Sequence, residues 1–430
     1  MSLVIEGGTI ITMEKEKIID DGLILINDNR IDFVGTRQEK RSQQADKTIK
    51  ANGKYVLPGF INMHCHLFQV FLRTLGADMN LLDWLKKVIW PNVKKLTYKH
   101  SYNAALLGIA ENIRSGVTTI VDMNYGNPNS EAILEAFTET KIRGFLSRGY
   151  YEIESHPLLM EDMNRILKNL QQMMEKHPNV MPGPMHPYNV SNDLLLKTKE
   201  LTDHFGRKFY THLAESEEDI QLLVQREGKR DAELLYSLGI LDSDFIGVHG
   251  CNLNKKEILD LGQTKSNTVH CATSNMFIAD GVSPITELSG SGVNVCIGTD
   301  GAASTGRLDM FSEMKTAALL QKIYYKDPSR ITAKEILEMA TVNGAKAMSL
   351  DAGMLKNGYL ADILILDMHK ANTVFSSDPI SAIIYSATTE NVDTVIVDGE
   401  VLLSKSNFTD MDEESILYNG HRSASRLFTK

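Results

Sequence analysis

The segment Asn62-Met63-His64-Cys65-His66 sets two imidazoles one residue apart. Side chains alternate along an extended strand, so His64 and His66 reach the same side and can grip one ion. Three distant segments add to them: His212-Leu213-Ala214-Glu215, Val248-His249-Gly250 and Gly298-Thr299-Asp300-Gly301. A third imidazole, an aspartate and a free carboxylate complete what hydrolysis by a metal-activated water needs.

Each piece also has a plainer reading. An isolated pair of histidines one residue apart is as readily two polar core residues, and the setting decides. Leu57-Pro58-Gly59-Phe60-Ile61-Asn62 is a turn into a short apolar strand that aims both rings at one mouth. His212 follows a strand-like run and Glu215 lies three residues on, a spacing that would also suit a solvated helix face. Asp300, between Gly298 and Gly301, suits a turn, but a strand runs straight into it. His249 has two readings, a second metal's ligand or a general acid/base that holds the attacking water. A binuclear site of this type normally adds a bridging carboxylated lysine near the end of the strand before His212. The stretch 179–188 has no lysine, which points to one metal.

The elements must bring these segments together. Across roughly 56–351, apolar runs such as 117–121, 208–211, 245–248 and 293–297 alternate with amphipathic helical stretches, the pattern of a parallel α/β domain. Each candidate ligand sits just after such a run. The expectation is a (β/α)8 TIM-type barrel, because its chemistry gathers where strands end; an open doubly wound sheet is the competitor. Residues 1–55 and 352–410 read as short strands broken by turns. One small β-sandwich built from both termini accounts for the symmetry, and two unrelated β caps are the alternative. Residues 411–430 read as a helical tail.

Bulk numbers narrow the function classes. The 430 residues, 43% hydrophobic and 23% charged, suit an ordinary folded protein with ample core. A net charge of -10 without a Lys/Arg run argues against a nucleic-acid partner. The N-terminus lacks a basic start and a long apolar core, and no run of eighteen apolar residues could span a bilayer, so a cytoplasmic location without membrane contact is expected. Cys65, Cys251, Cys271 and Cys296 form no CxxC, and buried thiols are expected rather than a disulfide framework.

These motifs resemble the amidohydrolase superfamily, specifically its mononuclear-zinc aminohydrolase branch, almost end to end. Within it the chain is most similar to the methylthioadenosine/S-adenosylhomocysteine deaminases, through Leu81-Leu82-Asp83-Trp84-Leu85, Ile89-Trp90-Pro91, Gly298 to Ser304 and Leu308 to Met314. Triazine hydrolases, guanine deaminases and cytosine deaminases share the scaffold. The resemblance implies His64, His66, His212 and Asp300 as ligands of one Zn2+ per chain, with Fe2+ also compatible with such donors. It implies Glu215 as proton shuttle and His249, with Asp300, as partner of the water. It places Asp83 on ribose hydroxyls and Arg148 on a substrate carboxylate, with Trp84 as a pocket wall. Their plainer readings are a helix cap for Asp83, a structural ion pair for Arg148 and core packing for Trp84.

One departure bears on the substrate. The resembling enzymes write Gly-Pro-His, a small residue and Pro-Tyr, their His meeting the purine; here the stretch is Gly183-Pro184-Met185-His186-Pro187-Tyr188. On a strand, a shift by one sends the imidazole of His186 to the opposite face and leaves Met185 as an apolar wall. The expected activity is deamination of an amino-substituted purine nucleoside, a small-molecule substrate, with release of ammonia. The alternatives are deamination or dechlorination of a smaller heterocycle and a catalytically silent barrel. A homo-oligomer is compatible with either enzyme reading.

Overall fold

The computed structural model describes residues 2–15, 17–40, 45–125 and 129–428. Two β-sheets enclose one small apolar core. The first, of four strands, runs in the order Arg30–Thr36, Gly22–Asn27, Ser2–Glu6, Lys47–Lys50. The second has seven and mixes both ends of the chain: Asn407–Phe408, Glu400–Ser404, Val392–Val397, Ile363–Asp367, Lys54–Pro58, Thr9–Ile11 and Ile18–Ile19. Leu3, Ile5, Ile24 and Ile26 of the first sheet meet Ile10, Val56, Ile363, Ile365 and Ile396 of the second. Val4, Leu23 and Leu25 point the other way and cluster with Phe33, as the two-residue period requires. Within 392–404 the chain turns back on itself in a hairpin. Asp398 and Gly399 both have positive φ, 49° and 76°, the signature of a two-residue type I′ turn.

The remainder is a (β/α)8-type barrel, formed by two four-stranded parallel sheets. Its strands, in spatial order, are Phe60–Cys65, Val117–Tyr125, Arg143–Tyr150 and Val180–Pro184, then Phe209–Leu213, Phe245–His249, Asn267–His270 and Asn294–Ile297. Between the two sheets the ladder is not continuous, but single backbone bonds span both seams near the strand ends. His212 N–H donates to Met185 O at 3.3 Å, and Asp300 N–H to His64 O at 2.9 Å. Both seam bonds involve proposed ligands, so the closure and the site are built from the same residues. Helices cover the outside, among them Tyr98–Arg114, Asn192–Phe205 and Met310–Tyr325. The last helix, Glu413–Phe428, lies on Tyr98–Arg114, where Gly420 packs against Leu107 and Asn103 Nδ2 donates to Ser423 Oγ at 2.7 Å.

Arg143 at the start of the third barrel strand ties the two parts together. Its guanidinium bridges Asp362 at 3.0 Å and Asp398 at 2.6 Å, both from the C-terminal part of the sandwich. All four cysteines are buried and free. Among the described residues no helix is long and apolar enough to cross a membrane.

Candidate metal centre and active site

The strand ends carry most of the chemistry. His64 lies within the first strand and His66 just past it; His212 and His249 are on the last two residues of their strands, and Asp300 follows Ile297 by three. The ligand candidates therefore sit on the final strand residues at least as often as after them. His212 and Glu215 are not a helix-face pair: the next helix starts at Glu217. Three bends supply the aim. Ala214, His249 and Asp300 have φ of 45°, 77° and 61°, left-handed conformations that a non-glycine residue adopts at a cost of about 1–3 kcal/mol. Such a cost is tolerated where the surrounding packing fixes a functional side chain.

All four imidazoles are held the same way. His64 Nδ1–H donates to the hydroxyl of Tyr210 at 2.7 Å, and that hydroxyl donates on to Met63 O at 2.7 Å. His66 Nδ1–H donates to Met123 O at 2.7 Å, and His212 Nδ1–H to Met185 O at 2.6 Å. His249 Nδ1–H donates to Asn275 Oδ1 at 2.8 Å. Each ring thus keeps the Nε2 lone pair for the centre, the second-shell arrangement that metal-binding histidines use. Ligand atoms of His64, His66 and His212 lie within 4.8 Å of one another, as do those of His64, His249 and Asp300. Asp300 Oδ1 is 3.4 Å from Nε2 of both His64 and His66.

Burial sets the protonation. It lowers the pKa of His64 to about 3 and that of His212 well below the usual imidazole value, leaving neutral rings fit to donate a lone pair. Burial works to raise the pKa of Asp300, but its place against His64, 3.4 Å from Nε2, and beside the other imidazoles holds it well below the carboxylate range. Its oxygens also accept from Ser274 Oγ at 2.5 Å and Gly301 N–H at 2.6 Å. The buried Nε2 atoms of His64 and His249 have no hydrogen-bond partner. Buried polar atoms are rarely left so, and a divalent cation among three neutral imidazoles and a carboxylate is a chemically apt partner. Glu215 behaves in the opposite sense to Asp300. Burial, and then the charge of Asp300, push its pKa well up, and its Oε1 lies 3.4 Å from His249 Nε2.

His66, His212, Glu215, His249 and Asp300 line one cavity, and so does Trp84, whose Nε1 donates to Leu75 O. The structure does not bring Asp83 or Arg148 to that lining. Asp83 is the third residue after the N-cap Asn80, in the first turn of its helix, half exposed and paired with Lys87 at 2.8 Å. Arg148 is wholly buried in the third strand and donates to Glu161 at 2.6 Å. His186 does face the cavity, together with Met185. The expectation that a one-residue shift turns it away is corrected: the ladder ends at Pro184, and past it neither residue is bound to strand alternation. His186 Nδ1 accepts weakly from Tyr188 N–H at 3.4 Å, and Nε2 is 3.9 Å from Asp231 Oδ2. Sequence reasoning missed Gln69, Tyr188 and Asp219 in the lining, as well as Tyr210 and Asn275 behind the imidazoles. Gln69 alone gave a signal, as the one polar residue in Leu67-Phe68-Gln69-Val70-Phe71-Leu72.

Comparisons with known proteins agree with this geometry. Residues 55–402 match the amidohydrolase family. The 5-methylthioadenosine/S-adenosylhomocysteine deaminase of Thermococcus sibiricus is 38% identical over 406 residues, covering 94% of each chain. The 5'-deoxyadenosine deaminase of Methanosarcina barkeri is 34% identical over 100% of this chain and 99% of its own. Among solved structures, a zinc-bound adenosine deaminase from Xanthomonas campestris superposes with a TM-score of 0.92 at 26% identity, over 99% of this chain and 98% of that one. An atrazine chlorohydrolase from Arthrobacter aurescens shares the fold, with a TM-score of 0.92 at 23% identity over 98% of this chain and 100% of that one. With the family matched over most of its length and deaminases as its curated relatives, the chain belongs to the amidohydrolase family and is a hydrolase of carbon–nitrogen bonds.

Proposed function

We propose that this chain is a zinc-dependent deaminase of an adenosine-type nucleoside, of the 5'-deoxyadenosine or methylthioadenosine kind, with one ion per chain. The observation that carries the reading is the shared Nδ1 anchoring of His64, His66, His212 and His249 around Asp300, with the Glu215 carboxyl 3.4 Å from His249 Nε2. His64, His66, His212 and Asp300 would hold the cation, which polarises a water molecule and, for zinc, lowers its pKa to roughly 7. His249 Nε2 orients the attacking oxygen toward the amino-bearing carbon. Glu215 takes one proton from that water and gives it to the ring nitrogen beside that carbon as the resulting hydroxide adds. The resulting carboxylate then takes the added hydroxyl's proton and passes it to the amino group, which leaves as ammonia. General acid/base help of this kind contributes about 10²–10⁴-fold.

Among the relatives, near-full-length identity of 34–38% to enzymes named for adenosine derivatives supports the nucleoside. One observation favours a second reading, a smaller amino-heterocycle such as guanine, cytosine or a triazine: Asp83 and Arg148, which the resemblance assigns to ribose and carboxylate, lie off the cavity lining. An ammonia-release screen decides between them. The zinc-loaded protein should turn over 5'-deoxyadenosine and methylthioadenosine with kcat/KM at least tenfold above that for guanine, cytosine or a triazine. The reverse ranking would replace the nucleoside by the smaller ring.

A further inference from the structure

Gln69 has no place in the chemistry above, yet it is 2% exposed, lines the cavity, and its Oε1 has no hydrogen-bond partner. Its position follows from the turn that carries it. Leu67–Leu72 is a 3₁₀ helix whose N-cap is His66. Gln69 N–H closes that turn onto His66 O at 2.9 Å, and both side chains line the same cavity. On its other flank the carboxamide lies against Gly301, next to Asp300. A Cβ added at Gly301 would come within 1.9 Å of Gln69 Oε1, so the amide rests in the space that glycine at 301 leaves open. The carboxamide is therefore held between two ligand-bearing turns.

Buried amide oxygens are seldom left without a donor, and the other five residues of this turn are apolar. We propose that Gln69 is a substrate-contacting residue that determines specificity. Its carboxamide hydrogen-bonds the edge of the bound heterocycle: Nε2–H donates to a ring nitrogen, and the oxygen that the protein leaves unpaired accepts from the exocyclic amino group. The inference rests on the nucleoside reading above and names a group that reads the ring, while His66 and Asp300 on either side hold the cation.

The test is Gln69→Leu in the zinc-loaded enzyme, with Gln69→Met as a second shape, each checked for metal content and thermal stability. Both should keep about one zinc and lose about tenfold in kcat/KM for 5'-deoxyadenosine, mainly through KM. The 1-, 3- and 7-deaza analogues of purine riboside, measured by calorimetry against purine riboside itself, supply a readout that a packing role would not move. The wild type should bind one deaza analogue less tightly, and Gln69→Leu should abolish that difference. If both variants bind the analogues in the wild-type ratios, or lose zinc in step with activity, Gln69 only supports the Asp300 turn and the proposal fails while the deaminase reading stands. If the wild type neither releases ammonia from adenosines nor binds purine riboside, the nucleoside reading itself fails and the proposal falls with it.

Discussion

At the floor of the cavity, each of four imidazoles gives its Nδ1–H to an oxygen fixed by the backbone or by a buried side chain, and its Nε2 is left for the centre. The groups that resemblance sends to the substrate's ribose and tail are partnered the other way. Asp83 and Arg148 already have opposite charges, Lys87 and Glu161, and the cavity lining is made instead by Trp84, Met185, His186 and Gln69. The difference follows from geometry. A metal needs several donors within a few ångströms of one point, and strand ends of a closed barrel deliver them rigidly. The lining residues Gln69, Trp84 and His186 come from connecting segments, where one residue's shift reassigns a side chain without disturbing the floor, and Arg148, although on a strand, is taken up by the counter-charge of Glu161.

The sharpest break of this contrast is at the floor itself. His66→Ala removes one of four ligands, and zinc content by elemental analysis should fall from about one equivalent to near zero, with activity at background. Two equivalents in the fully active wild type would overturn the one-ion assignment. Glu215→Gln should keep its zinc and lose about 10²–10⁴-fold in kcat, because the amide keeps the shape but cannot relay a proton. Should it emerge free of metal, Glu215 belongs among the ligands.

The floor was readable in the sequence for the same reason that it is rigid. His64 and His66 obey strand alternation, and His212, His249 and Asp300 terminate apolar runs, so residue type and secondary structure pointed to one place. Tyr210 and Asn275 were not readable, since their role is a contact 146 residues away for Tyr210 and 26 for Asn275. The Met185/His186 reading used strand periodicity one residue beyond the last ladder pair at Pro184, where that rule no longer holds. The mixed sandwich was foreshadowed by matching strand texture at both ends, and the Asp398-Gly399 pair is the kind of sequence that a two-residue hairpin turn favours.

Arg148→Ala probes the other side of the comparison. Removing the guanidinium leaves Glu161, whose side chain is 15% exposed, without its partner at 2.6 Å, and should cost about 3 kcal/mol in chemical denaturation. Because Arg148 lies off the cavity, the loss in kcat/KM should be the same within about threefold for S-adenosylhomocysteine and methylthioadenosine. A loss confined to the carboxylate-bearing substrate would place Arg148 on the substrate's tail and erase the contrast.

Asp83→Ala should have the smallest effect. The Asp83 and Lys87 side chains are 50% and 59% exposed, four residues apart on one short helical segment, and such pairs contribute about 0.3–0.5 kcal/mol. Stability should therefore change by less than about 1 kcal/mol. The helix start is held independently, because Asn80 Oδ1 accepts the backbone N–H of residue 83, which alanine retains. Trp84 should keep its place in the lining, and kcat/KM for 5'-deoxyadenosine should stay within about twofold. A drop of tenfold or more, with unchanged stability and matched by Asp83→Asn, would mean that the carboxylate leaves Lys87 to meet the ribose when substrate binds. The outer wall would then share the floor's logic only in the bound state, formed by the ligand and not preset by the fold.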